Sequence, residues 1–177
     1  MYYCCPFKER YLVDEIQKSS QQYVLQESYN FFKDKDYESA YALLDGLIQK
    51  EDGLALVLAS LFSRPGELEE DFYKRHFDNI LKASEKENPL ALYSLGVYFD
   101  TGEYVEEDKE KAFVLFKSAA DLGMPQAKHI YGVMQYYGTG WAEKNMDSAL
   151  IMIKQASKEG VAEATEFLDY IDKKERG

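Results

Sequence analysis

Cysteine is almost missing from this sequence: the only two, Cys4 and Cys5, are adjacent. Neighbouring cysteines close no useful loop and have neither the spacing nor the histidines of a zinc site. They read as two reduced thiols in a lightly packed arm, so neither a disulfide framework nor a structural metal is expected. Histidine is as scarce, with only His76 and His129, and neither belongs to a ligand spacing such as HExxH. A serine or cysteine triad therefore has few possible members, and no catalytic residue is expected. There is no 18-residue apolar run, so no membrane-spanning helix is expected. The first eight residues, Met-Tyr-Tyr-Cys-Cys-Pro-Phe-Lys, lack the basic start, apolar stretch and small-residue cleavage site of a secretory signal, which predicts a cytoplasmic location.

Positive charge is also short. Lys and Arg total 21 against 32 Asp and Glu, a formal charge of -11. Such a balance argues against nucleic acid as a partner and for a protein with a basic surface. A chain of 177 residues buries roughly two thirds of the surface its unfolded form exposes, so one core can form without staples or a cofactor.

What the sequence has in quantity is repetition. Around Lys111 to Gly123, a step of 37 takes Ala112 to Ala149, Ala119 to Ala156 and Gly123 to Gly160. A step back of 36 takes Ala119 to Ala83 and Phe116 to Ile80. A period in this range means stacked helical hairpins, and the expected class is all-α. The expected organisation is one helical-repeat domain over 1–177, with a lead-in segment at 1–20 and repeats at 21–50, 53–86, 88–123 and 124–160. A terminal capping helix follows at 161–172, and Lys173 to Gly177 should fray.

Within this frame, Tyr37 to Gln49 carries apolar residues at 3.6-residue spacing, with Asp36 as its cap, as Asp108 caps the helix after it. Arg64-Pro65-Gly66 turns the second hairpin, and Glu67, Glu69, Glu70 and Asp71 are expected in the first turn of the next helix, where carboxylates favour the dipole. Pro89 and Pro125 start equivalent helices, and Gly96 and Gly132 repeat inside them. Gly123 and Gly160 end helices in a left-handed turn. Gly138-Thr139-Gly140 follows a helix rather than a strand, so it is a turn and no nucleotide loop.

Leu95-Gly96, Gly102, Asp108, Lys111-Ala112 and Ala119-Ala120 with Gly123 resemble the Sel-one-like repeat, a relative of the tetratricopeptide repeat. The next unit is similar to it through Gly132, Gly138-Thr139-Gly140, Ala149, Ala156 and Gly160. Tyr104 stands where the family has a second loop glycine, Leu115 where tryptophan is usual, and Tyr131 where leucine is usual. The resemblance implies a right-handed superhelical solenoid of about four antiparallel helix pairs plus a C-terminal capping helix.

Aromatic residues exceed the need of a small-residue stack: fifteen tyrosines, ten phenylalanines and one tryptophan. Aromatics anchor protein interfaces. Phe99, Phe113, Phe116 and Tyr131 fall on packing positions. Tyr93, Tyr98, His129, Tyr136 and Tyr137 on first helices, with Tyr104 and Trp141 in loops, are the candidate partner-binding residues. Asp100, Glu103, Glu106 and Glu107 complete the candidate set as a negative rim, with Glu143 flanking it. Two functions fit: a small cytoplasmic inhibitor or immunity protein that neutralises a basic toxin or enzyme, and an adaptor that organises a larger assembly. Neither calls for a cofactor or metal.

Overall fold

The computed structural model describes residues 9–139 and 141–176, the last two without their side chains. Cys4, Cys5 and Gly140 lie outside the described residues. Ten helices and no strand make up what is described. They are α1 (Glu9–Lys18), α2 (Gln22–Lys33), α3 (Tyr37–Ile48), α4 (Gly53–Ser60), α5 (Glu69–Glu85), α6 (Pro89–Thr101), α7 (Lys109–Asp121), α8 (Pro125–Tyr137), α9 (Met146–Lys158) and α10 (Ala162–Arg176). The chain divides into two compact units, with the boundary after Leu95 inside α6.

In the first unit α1 packs on α2 and α2 on α3, while α4 lies against α5. Leu12 and Ile16 of α1 are buried, so the lead-in segment seals the first hairpin. α4 is enclosed almost all round, with Leu54 to Ser60 all buried. A helix with no polar face cannot stand at a surface, which fixes it as the centre of this unit.

In the second unit α7 packs on α8, α8 on α9 and α9 on α10. α6 meets α7 through a contact repeated one unit later. A Cβ on Gly96 would stand 2.8 Å from the Phe116 ring, and one on Gly132 would stand 2.7 Å from Ile153 Cγ1. Glycine is needed at both places because the facing helix leaves no room for a methyl group.

The helix ends carry the repeat through both units. Glu51, Glu87, Gly123 and Gly160 all have left-handed backbone, with φ of 54°, 56°, 92° and 90°. Behind each, the next N–H reaches back to the helix: Asp52 to Leu47 O at 3.0 Å, Asn88 to Ala83 O at 3.1 Å, Met124 to Ala119 O at 3.0 Å and Val161 to Ala156 O at 3.0 Å. This is one C-terminal motif written four times, with glutamate in the first two copies. Helix starts repeat likewise: Asp36 accepts from Ser39 N at 3.1 Å, Asp108 from Lys111 N at 3.0 Å and Asn145 from Ser148 N at 3.0 Å.

Two local expectations need correction. α10 does not stop near Asp172 but runs to Arg176. No glycine or proline follows Ile171 until the last residue, and Lys, Glu and Arg are good helix formers. Glu67 is not in the first turn of α5. Leu68 is extended (φ -71°, ψ 153°), and Glu67 precedes it in the loop, paired with Arg75 at 2.6 Å.

Candidate functional site

The expected surface residues divide into two groups. Tyr98 is 1% exposed and Tyr93 7% exposed, so both belong to the core rather than to a binding face. The sequence places them off the alanine–glycine stripe, but α6 is buried along most of its length, which takes their sides inside as well. Tyr104 is half-buried with its ring 4.7 Å from that of Tyr98. Its φ is 67°, so tyrosine adopts the left-handed turn that the family fills with glycine, and packing on Tyr98 offsets that strain. Asp100 is held by Lys109 at 3.2 Å, and Glu107 lies 3.6 Å from the same ammonium. Glu103 and Glu106 are exposed in the loop beside them.

The second group comes together at the end of α8. Tyr136 and Tyr137 lie in its last turn, which Gly138 closes in the left-handed conformation with its N–H on Met134 O. Phe167 of α10 sits among them: its ring centroid is 5.4 Å from Tyr136, 6.0 Å from Tyr137 and 6.3 Å from His129, all edge-to-face. These are favourable aromatic geometries, and together they make one rigid cluster. Its foundation is the buried set Ile153, Ala156, Val161 and Ala164, against which Phe167 and Leu168 pack. Tyr137 is 47% exposed, Trp141 in the following loop is 62% exposed, and Tyr170 on α10 is also exposed. The second unit therefore carries three exposed aromatic groups, two of them on helices, with Glu143, Glu163 and Glu166 also exposed.

His129 is half-buried, and its Nδ1 is enclosed without a hydrogen-bond partner, as is Oε1 of Gln126 one turn earlier. Burial pushes the imidazole below its usual pKa, and the Glu163 carboxylate opposes this only in part. A neutral ring packed on Phe167 serves the cluster as an aromatic wall. Phe167 and Tyr170 escape the sequence reading, which treats the last helix only as a cap. Their signal is the period itself: Phe167 lies 37 after Ile130 and Tyr170 lies 37 after Val133.

A second concavity belongs to the first unit alone. A cavity of about 310 Å³ is lined by Phe32, Tyr37, Leu61, Phe62 and Phe72, with Lys33, Lys35, Ser63, Glu67 and Glu69 completing the wall. Phe32 and Phe62 stack face to face at 4.2 Å with 7° between their planes. The loop between α4 and α5 is tied down beside it. Arg75 donates to Ala59 O at 2.7 Å, to Phe62 O at 2.8 Å and to the Glu67 carboxylate, while Glu67 also accepts from Arg64 N at 2.8 Å. The Tyr41 hydroxyl donates to the same two carbonyls, Ala59 at 2.9 Å and Phe62. A cation among the last carbonyls of α4 complements the negative end of that helix. Burial pushes the Tyr41 hydroxyl up to about 12, against the pull of Arg75. Among the described residues, no group of three His, Cys, Asp or Glu is placed to hold a metal ion, and no helix is long and apolar enough to cross a membrane.

Comparison with known proteins agrees with this architecture. The Sel1 repeat model matches residues 89–124 and 125–161. A Sel1 repeat protein from Oxalobacter formigenes is similar over 71% of this chain and 94% of its own, with 24% identity and a TM-score of 0.63. Helicobacter pylori cysteine rich protein B is similar over 75% of this chain and 95% of its own, with 24% identity and a TM-score of 0.52. A protective antigen present in uropathogenic Escherichia coli strains, displaying an SLR fold, aligns over 92% of this chain and 36% of its own, with 15% identity and a TM-score of 0.66. At these identities the likeness concerns the fold. No curated protein matches the chain. Sel1 repeat proteins are protein-interaction modules and generally non-catalytic. The chain is thus an all-α repeat solenoid whose residues 89–161 match the Sel1 repeat model.

Proposed function

We propose that this chain is a non-enzymatic protein-binding module that holds a partner with a basic surface through the aromatic cluster of its second unit. The observation that carries this reading is the trio Tyr137, Trp141 and Tyr170, all exposed in the second unit, with Tyr137 locked edge-to-face on Phe167. Rigid aromatic groups lose little entropy on binding, and a surrounding excess of carboxylate steers a cationic partner toward them. Glu103, Glu106, Glu107 and Glu143 supply part of that excess in a chain of net charge -11. His129 and Tyr136 support the face from beneath, while the buried Tyr93 and Tyr98 act on the fold and Asp100 stays on the acidic rim.

The finer proposal is a small cytoplasmic inhibitor or immunity protein whose partner is a basic toxin or enzyme. The test is affinity capture from the native host at low and high salt, with wild type and a Tyr137→Ala/Trp141→Ala variant as baits. One dominant basic protein, lost at high salt and with the variant, is the expected result, and its own activity should fall when the purified chain is added. Retention of all partners by the variant overturns the proposed face. An intact partner activity in the complex overturns the inhibitor role and leaves an adaptor. The adaptor reading is favoured by one observation, the separate cavity of the first unit, which gives the chain a second place to bind.

A further inference from the structure

The lining of the first unit's cavity is half apolar and half polar. Its buried or half-buried part is the Phe32–Phe62 stack, Phe72, Tyr37 and Leu61, and the exposed Lys33, Lys35, Ser63 and Glu69 stand with Glu67 around its opening. These charged groups have partners, with one exception. Glu67 is engaged by Arg75 and by Arg64 N. Lys33 lies 3.4 Å from Glu9 and 5.6 Å above the Tyr29 ring. Lys35 has no ion pair among the described residues, although acidic residues outnumber basic ones by 32 to 21. Its backbone is fixed in the left-handed region at φ 64°, with its N–H on Phe32 O at 3.1 Å, so the exposed side chain springs from a fixed point on the lining of the cavity.

We propose that this cavity is a binding site for an aromatic carboxylate, with the ring against the Phe32–Phe62 wall and the carboxylate on the Lys35 ammonium. The volume of about 310 Å³ lies at the small end of ligand sites, enough for one ring and a short acidic arm. Glu69 is also at the mouth and accepts from the Tyr73 hydroxyl at 3.2 Å. Its charge repels an anion that is not held in place, so the ring must seat first and direct the acid to Lys35. The site is preorganised, because Arg75 ties the α4–α5 loop to the end of α4 through Ala59 O and Phe62 O. The same chemistry is offered by a free aromatic acid and by the end of a polypeptide whose last residue is phenylalanine. This site is independent of the aromatic cluster in the second unit.

The experiment is titration of the full chain with 3-phenylpropionate, 3-phenylpropanamide and 3-phenylpropylamine, read by calorimetry and saturation-transfer NMR. The carboxylate is expected to bind and the amide to bind about tenfold more weakly, the loss of one charge-assisted contact. Lys35→Glu should weaken the carboxylate by about the same factor. Ser63→Trp, which fills the mouth from an exposed position, should remove binding while circular dichroism shows the fold retained. A peptide ending in phenylalanine with a free carboxylate separates the sources. Displacement of 3-phenylpropionate by that peptide, but not by its amidated form, supports the site with a chain end as its ligand. Binding of 3-phenylpropionate without displacement supports it with a free acid. Equal binding of the amide, tighter binding of the amine, unchanged affinity in Lys35→Glu, or no saturation transfer from 3-phenylpropionate would each overturn the assignment.

Discussion

Gly132 approaches Ile153 so closely that a Cβ on it would meet Ile153 Cγ1 at 2.7 Å and Ala149 O at 3.2 Å. One of those neighbours is backbone and the other is the stem of a branched side chain, so neither yields cheaply. Gly132→Ala is expected to cost about 1–3 kcal/mol through overpacking, and Gly132→Leu more. In a chain of this size that lowers Tm by about 2–4 °C per kcal/mol. The control is Ile153→Ala, which removes the clashing atom. Adding Gly132→Ala to that background should cost clearly less than it does alone, and strictly additive losses would show that the two residues are not in contact.

Glu87 occupies the left-handed position that Gly123 occupies one repeat later. An L-residue there costs about 1–2 kcal/mol, while glycine gives back part of the gain as chain entropy. Glu87→Gly should therefore stabilise the protein by about 0.5–1 kcal/mol, and Gly123→Glu should destabilise it by a similar amount. Thermal unfolding of both variants measures this. A drop in Tm for Glu87→Gly would mean that its carboxylate makes a contact worth more than the strain. Glu51 is a poorer choice for the same test because its carboxylate pairs with Lys86 at 2.9 Å.

These two positions also show what sequence could and could not reveal. Pro89, Pro125, Gly123 and Gly160 punctuate helices through backbone chemistry that only their residue types supply, so the boundaries of α6 to α9 were legible. Glu51 and Glu87 perform the same turn without the residue that announces it, and only the 36-residue spacing leads to them. The aromatic cluster was half legible. Periodicity marks which residues face a helix's neighbours, but Tyr98 and Tyr137 have the same chemistry, and only the depth of α6 separates 1% exposure from 47%. The pairing of Glu67 with Arg75 was invisible because the α4–α5 loop, which folds back on itself, has no period.

The Glu67–Arg75 pair predicts an acid-sensitive loop. Burial disfavours ionised Glu67, but the Arg75 guanidinium and Arg64 N–H outweigh it and hold the carboxyl below its usual 4.5. A depressed carboxylate contributes stability above the unfolded value and loses it as pH falls through the folded one. Wild type should therefore lose stability below about pH 4.5 more steeply than Glu67→Gln. Arg75→Met strands the Glu67 charge and takes a donor from two carbonyls, at a cost of about 3 kcal/mol. The double variant should recover part of that loss. If it does not, Arg75 acts mainly through Ala59 O and Phe62 O.

His129 titrates in a different window, which lets the two units be read apart. Its folded pKa lies below the usual 6.5 because burial disfavours the imidazolium, with Glu163 pulling the other way; Lys128, beside it on the same helix, is paired with Glu159 at 3.0 Å. A depressed base is the mirror of a raised one: the unfolded chain takes up the proton first. Stability is thus complete above pH 6.5 and declines as pH falls through that value toward the folded one. His129→Phe keeps a ring against Phe167 and removes the partnerless Nδ1. It should match or exceed wild-type Tm at pH 7 and show a flatter Tm as pH falls from 6.5, while the loss below pH 4.5 due to Glu67 persists in both. Parallel Tm curves for the two proteins across that upper window would show that the ring is hydrated and the cluster around Phe167 looser than its edge-to-face geometry implies.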